Sequence, residues 1–149
     1  MELKHINGFS VTGIKVRTTN AAEMDTSTAK IAGLWQHFYQ DVMPQLPPGS
    51  KIYGVYCHYQ SDYRGEYDIF AAADTLSADL LEESESTNIQ SGQYLVFSKT
   101  GEMPQAVISL WGEVWEYFNQ PDCPHHRAYT SDFEFYKSAN EVEIAIAVK

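Results

Sequence analysis

The sequence predicts an α+β fold: duplicated strand-helix-strand-strand units forming a pseudo-twofold antiparallel sheet, with two main helices on one face and a central ligand cleft. Two observations carry this expectation. Ile31, Leu34 and Trp35 recur as Val107, Leu110 and Trp111, and Ile52-Tyr53 recurs as Ala128-Tyr129, all at one constant offset along the chain. Each stretch also passes in the same order from an alternating segment to a helical stripe and then to a hairpin. A duplicated unit of this size buries its core, and often a ligand pocket, where the halves meet. The expected organisation is one domain over residues 1–149, made of two repeats spanning about 1–75 and 90–149.

The first strand is expected over Phe9 to Arg17, where Val11, Gly13, Lys15 and Arg17 alternate with Thr12, Ile14 and Val16. Asp25, Thr26 or Ser27 can cap a helix in which Ile31, Leu34, Trp35, Phe38 and Val42 recur at helical spacing. Pro44, Pro47, Pro48 and Gly49 end it. A hairpin follows over Lys51 to Gln60 and Glu66 to Ala73, turning at Ser61-Asp62-Tyr63-Arg64-Gly65. Residues 75 to 91, polar and carrying Glu82, Glu83 and Glu85, connect the halves, with a short strand near Asp79 to Leu81. The second half repeats the plan. Its strand runs from Gln93 to Thr100, and Pro104 opens a helix with the stripe Val107, Leu110, Trp111, Val114, Trp115 and Phe118. After the loop Asn119 to His126, strands Ser131 to Lys137 and Glu141 to Val148 form the last hairpin around Ser138-Ala139-Asn140.

With 149 residues and 44% hydrophobic content, the chain suits one compact domain that buries roughly two-thirds of its unfolded surface. No apolar run is long enough for a membrane span, and Met1-Glu2-Leu3-Lys4-His5 lacks the apolar core of a signal peptide, so a cytoplasmic location is expected. The 20 acidic against 10 basic residues give a formal charge of -10. No Lys/Arg cluster stands ready to neutralise phosphates, which argues against direct nucleic-acid binding, whereas a negative field concentrates cationic small molecules. Cys57 and Cys123 stand alone and supply neither a disulfide framework nor a zinc knuckle. Cys123, His125 and His126 lack a second ligand pair at a metal-binding interval. His58 follows Cys57 directly, and strand neighbours point to opposite faces, so no Cys-His nucleophile is expected there. No phosphate loop, G-x-S-x-G elbow or His-Glu-x-x-His is present. Neither a metal nor a cofactor is expected.

Ser131-Asp132-Phe133-Glu134-Phe135-Tyr136 alternates strictly. Phe133 and Phe135 share one face, and Asp132, Glu134 and Tyr136 the other. Glu134 either points at water over an apolar core or lies in an aromatic-lined cavity. In the second case desolvation favours a cationic partner, through charge pairing and contact with Tyr or Trp rings. The first hairpin supplies Tyr53, Tyr56, Tyr59, Tyr63 and Tyr67, too many aromatics to leave casually in water. Trp35 and Trp111 are expected to face each other across the pseudo-twofold axis, with Trp115 bordering a pocket.

The chain also resembles a known family, the effector-binding domains of AraC-type and related multidrug-responsive regulators, also called GyrI-like. Pro48-Gly49-Ser50-Lys51-Ile52-Tyr53-Gly54-Val55-Tyr56, with Tyr59, Ser61-Asp62 and Gly65-Glu66-Tyr67, resembles that family's first hairpin. Gly92-Gln93-Tyr94 with Phe97 and Gly101 resembles its third-quarter strand and turn. Asp132-Phe133-Glu134-Phe135-Tyr136 resembles its last hairpin. The resemblance implies a pocket between the halves for amphipathic, often cationic, aromatic compounds. By position in the motif, Glu134 corresponds to the family's buried glutamate. Tyr136, the hairpin aromatics Tyr53, Tyr56 and Tyr67, the helical Trp111 and Trp115, and Tyr94 with Phe97 are the expected lining. Relatives in transcription factors carry a helix-turn-helix domain, for which 149 residues leave no room, so a domain acting by itself is expected.

Three functions remain open on these residues. The leading expectation is a binder of amphipathic, cationic drug-like molecules that sequesters them or passes them to a separate regulator. A protein-interaction module, gyrase-inhibitor-like, would use the acidic surface around Glu82, Glu83 and Glu85. A small-molecule hydrolase would use Glu134 as general base.

Overall fold

The structure, a computed structural model, describes residues 1–77 and 82–149. Eight strands form one antiparallel sheet in the order β1-β6-β8-β7-β3-β4-β2-β5. These are β1 (Glu2–Ile6), β2 (Phe9–Thr18), β3 (Ile52–Cys57), β4 (Tyr67–Ala73), β5 (Glu85–Ile89), β6 (Gly92–Thr100), β7 (Ser131–Ser138) and β8 (Glu141–Ala147). The sheet curls into a half-barrel. Read outward from the central β3–β7 pair, its two arms are the same: a hairpin, then the strand that precedes a helix, then an edge strand. The α+β class and the duplicated plan are as expected.

The two edge strands interlock the arms. β1 leads into β2 along the chain but pairs with β6, whereas β5 leads into β6 but pairs with β2. Each arm is thus closed by a strand from the other. Neither edge strand was expected from sequence, because β1 is mostly exposed and β5, Glu85–Ile89, is polar but for its last residue. Hydrogen bonds to a neighbour, rather than an apolar face, hold such strands in place. The short strand expected near Asp79 to Leu81 lies outside the described residues.

The helices are α1 (Asn20–Glu23), α2 (Ile31–His37) and α3 (Gln105–Phe118). α2 begins later than a cap at Asp25 to Ser27 would place it. The Asp25 carboxylate instead accepts the Ser27 N–H at 2.9 Å and closes a local turn. Glu23 takes over at the helix start: its carboxylate accepts the Lys30 N–H at 2.9 Å and the Ile31 N–H at 3.2 Å. A negative group there satisfies orphan donors and complements the helix dipole. α2 passes into a π-helical turn, Phe38–Val42, and then a short 3-10 turn, Met43–Gln45.

Both main helices cover one face of the sheet. Under α2 lie Leu34, Phe38 and Val42 with Ile14, Ile69, Ala71 and Ala73. Under α3 lie Val107, Leu110 and Val114 with Leu95, Phe97, Val142, Ile144 and Ile146. The opposite face curls onto a third core containing Tyr53, Val55, Phe70, Tyr94 and Phe133. β4 is buried along its whole length because it lies between two of these cores, which explains its unbroken run Ile69-Phe70-Ala71-Ala72-Ala73. Above the central β3–β7 pair the two helix cores stop short of each other, and a polar group occupies the gap.

Candidate functional site

That group is Glu134. In the β3–β7 register Gly54 stands opposite it. A Cβ at position 54 would overlap Glu134 Oε1 and come within 3.1 Å of the Trp35 ring. The glycine is therefore what lets the carboxylate lie flat over the neighbouring strand with Trp35 above it. Gly54 went unrecognised in the sequence because a single glycine in a strand signals only a close approach of unknown origin.

Glu134 is 3% exposed. Its Oε2 accepts hydrogen bonds from Tyr56 Oη at 2.9 Å and Trp111 Nε1 at 2.7 Å, and its Oε1 accepts one from Tyr136 Oη at 2.8 Å. All three donors are neutral. Burial pushes the Glu134 carboxyl above the ordinary carboxylate range, and the Trp111, Tyr136 and Tyr56 hydrogen bonds pull it back toward the charged form. Burial and the nearby negative charge hold the Tyr56 and Tyr136 hydroxyls in their protonated, donating state. With two oxygens and about four acceptor positions, the carboxylate retains capacity after three bonds. The alternative in which Glu134 points at water does not apply.

Aromatic rings from both helices wall this carboxylate. Trp35 meets Tyr136 at 5.4 Å between ring centres and Tyr39 at 5.9 Å. Trp111 meets Tyr56 at 5.1 Å and Trp115 at 6.3 Å. Tyr39 is 51% exposed and Trp115 45% exposed. The walls therefore grade from rings packed on the carboxylate to rings open to solvent, one outer ring from each helix. Tyr39 was missed in the sequence, although it stands four residues after Trp35, at the edge of the Ile31–Leu34–Trp35–Phe38–Val42 stripe. It lies in the π-helical turn, which changes the phase of the helix after Trp35.

Of the expected lining residues, Glu134, Tyr136, Trp111 and Tyr56 are joined by direct hydrogen bonds. Trp115 extends the Trp111 wall, and Tyr67 packs on Tyr56 at 5.7 Å. Tyr53, Tyr94 and Phe97 are corrections. Tyr53 precedes Gly54 on β3 and so faces the opposite side, where it packs with Phe9, Phe133 and Phe135. Tyr94 joins the same core, its hydroxyl donating to the Gln90 carbonyl at 2.6 Å. Phe97 lies under the end of α3 against Tyr117 and Phe118. The strand match of Ile52-Tyr53 to Ala128-Tyr129 also needs correction, since Ala128 and Tyr129 precede β7 and Tyr129 has φ +55°. The longer loop after α3 shifts the second hairpin relative to its helix, so Gly54 and Glu134 are the positions that pair at the sheet centre.

Two other candidates resolve locally. His58 adopts φ +53°, which turns its ring back so that Nδ1 lies 3.6 Å from Cys57 Sγ, contrary to the expectation for strand neighbours. The same Nδ1 is 2.7 Å from Asp68 Oδ2, and burial pushes the Cys57 thiol up to about 11. A buried thiol held in its protonated form beside a histidine–carboxylate contact is a poor nucleophile. Cys123 Sγ donates to the His125 carbonyl, and His125 Nδ1 lies 2.8 Å from Tyr117 Oη.

A curled eight-stranded antiparallel sheet with few helices is the fold of the effector-binding class of domain. The chain belongs to the Cass2 family of integron-associated effector binding proteins, whose model matches residues 2–148. It is 58% identical to the integron cassette protein VCH_CASS2 from the mobile metagenome of Vibrio cholerae, with a TM-score of 0.95 over 99% of this chain and 95% of that one. SAV2435, solved bound to tetraphenylphosphonium, is 25% identical, with a TM-score of 0.74 over 99% of this chain and 93% of that one. A transcription regulation protein from Staphylococcus aureus MU50 shares the fold at 22% identity and a TM-score of 0.75, over 99% of this chain and 97% of that one. No curated protein matches the chain. No helix among the described residues is long and apolar enough to cross a membrane.

Proposed function

We propose that this protein binds amphipathic aromatic cations between α2 and α3, with Glu134 as the counter-ion. The observation that carries this reading is a buried carboxylate served only by neutral donors. Such a group bears the cost of desolvation without a compensating charge. A ligand cation supplies that charge, and Trp35, Trp111, Tyr39 and Trp115 offer π-faces on the way in. The tetraphenylphosphonium held by SAV2435 is a ligand of this kind and supports the reading.

The acidic segment is a weaker basis for a protein-interaction function. Glu83 pairs with His37 at 2.9 Å and Glu85 with Lys15 at 3.0 Å, so two of its carboxylates are engaged within the chain. For hydrolysis, the hydrogen bonds from Tyr56, Trp111 and Tyr136 favour the charged form of Glu134 and so weaken it as a general base.

The test is a titration with aromatic cations and matched neutral analogues, following tryptophan fluorescence and the ligand mass at the end point. Saturable, cation-selective quenching with unchanged mass is expected. No quenching by any cation contradicts the binder, and a changed mass assigns a hydrolase instead.

A further inference from the structure

Glu134 is not the only buried acid on its face of β7. Asp132, two residues earlier, projects to the same side, so the two side chains leave the strand about 7 Å apart. Asp132 is fully buried. Its partners differ in kind from those of Glu134. Asp132 Oδ2 accepts from Arg127 Nη2 at 2.8 Å and from Tyr59 Oη at 2.5 Å, and Oδ1 accepts the Ala147 N–H at 2.8 Å.

Arg127 is itself buried, its side chain 9% exposed, and it stacks over Tyr129 at 4.5 Å from the ring centre. Its Nε is a buried donor without a hydrogen-bond partner among the described residues. That unsatisfied donor is a cost of burial, and the guanidinium's positive charge lies against the Asp132 carboxylate at 2.8 Å. That charge cancels Asp132. From this ion pair, Tyr59 packs on Tyr67 at 5.9 Å and Tyr67 on Tyr56 at 5.7 Å, and Tyr56 donates to Glu134. The path between the two acids is aromatic, and no second cation lies on it among the described residues.

We propose that Arg127 sets the charge of the ligand this site selects: by neutralising Asp132 it leaves Glu134 as the uncompensated carboxylate on this face of β7, so the site takes aromatic monocations in preference to dications. This rests on the reading of Glu134 as the cation site. Without Arg127 two uncompensated carboxylates would stand on this face of β7, and the balance would move toward a doubly charged ligand. With Asp132 neutral and Arg127 in place, the guanidinium charge would oppose any cation approaching Glu134.

The experiment measures dissociation constants for tetraphenylphosphonium and for methyl viologen, an aromatic dication. The proteins are wild type, Asp132→Asn, Arg127→Met and the double variant, with folding checked by circular dichroism. Wild type is expected to prefer the monocation. Asp132→Asn should weaken monocation binding about tenfold with Glu134 untouched, and adding Arg127→Met should restore it. Arg127→Met alone should shift selectivity about tenfold toward the dication. If that variant does not fold because its buried acid is unpaired, the comparison of Asp132→Asn with the double variant decides the matter. Equal monocation affinity in those two proteins overturns the proposal while leaving Glu134 as the cation site. Failure of wild type to bind either probe overturns both.

Discussion

On the proposed reading, cation binding turns on one pair of residues, Gly54 and Glu134, which face each other at the centre of the sheet. Replacing Glu134 by Gln keeps the shape and removes the charge. Cation affinity should fall by about 1 to 3 kcal/mol, the range for a charge-assisted contact, while the thermal midpoint is maintained. The pH dependence follows from the direction of the Glu134 shift. Its carboxyl titrates above the ordinary 4.5, chiefly because it is buried. The folded state therefore favours the protonated form relative to the unfolded chain, and this acid's contribution to stability declines as pH rises from the unfolded value through the folded one. Cation binding has the opposite sign. It is full above the folded value and weakens as pH falls through it, beginning at a pH above 4.5. Titration calorimetry across that window should show this loss in wild type and a flat profile in Glu134→Gln. Gly54→Ala should destabilise by about 1 to 3 kcal/mol and displace the carboxylate, lowering cation affinity as well; chemical denaturation and the same calorimetry check both effects. The strict alternation of β7 placed Glu134 and Tyr136 on one face but left the burial of the carboxylate open, and it was the family resemblance that pointed to Glu134. Gly54 was not legible, because its role exists only once β3 and β7 are paired.

At the scale of elements, the helices supply both the core and the mouth of the site. Leu110 and Val114 pack inward from α3 while Trp115 remains half in solvent. The π-helical turn does the equivalent after α2, burying Phe38 and Val42 and leaving Tyr39 outward beside Trp35. Trp115→Ala and Tyr39→Ala should each weaken cation binding by about 0.5 to 2 kcal/mol, the range for cation–π contacts. Because both rings are largely exposed, their melting temperatures should stay close to wild type. A melting curve beside each binding isotherm separates this outcome from a packing role. The apolar stripes of α2 and α3 and the β7–β8 hairpin were readable from periodicity, since each buries a regular face. The strands β1 and β5 were hidden because no local hydrophobic period marks them, whereas Tyr39 stands at the edge of the α2 stripe, four residues after Trp35. Tyr53, Tyr94 and Phe97 mark the converse limit. Aromatic character was plain in the sequence, but the face each occupies depends on sheet register and curl.

Across the whole molecule, exchanged edge strands tie two similar arms into one sheet, and the central strand pair carries a difference that the proposed ligand uses, a carboxylate on one side and a glycine on the other. We read the similarity of the arms as a duplication in which this position diverged. The formal charge of -10 acts at longer range, and it should speed capture of cations at low ionic strength. Stopped-flow association should therefore slow with added salt while dissociation changes little. The central claim is that Glu134 selects ligands by charge, and it is tested most directly by isothermal titration of wild type and Glu134→Gln with tetraphenylphosphonium and a neutral tetraaryl analogue of the same size. The account predicts that wild type prefers the cation and that Glu134→Gln loses this preference while retaining its affinity for the neutral compound. Equal discrimination by the two proteins would contradict it.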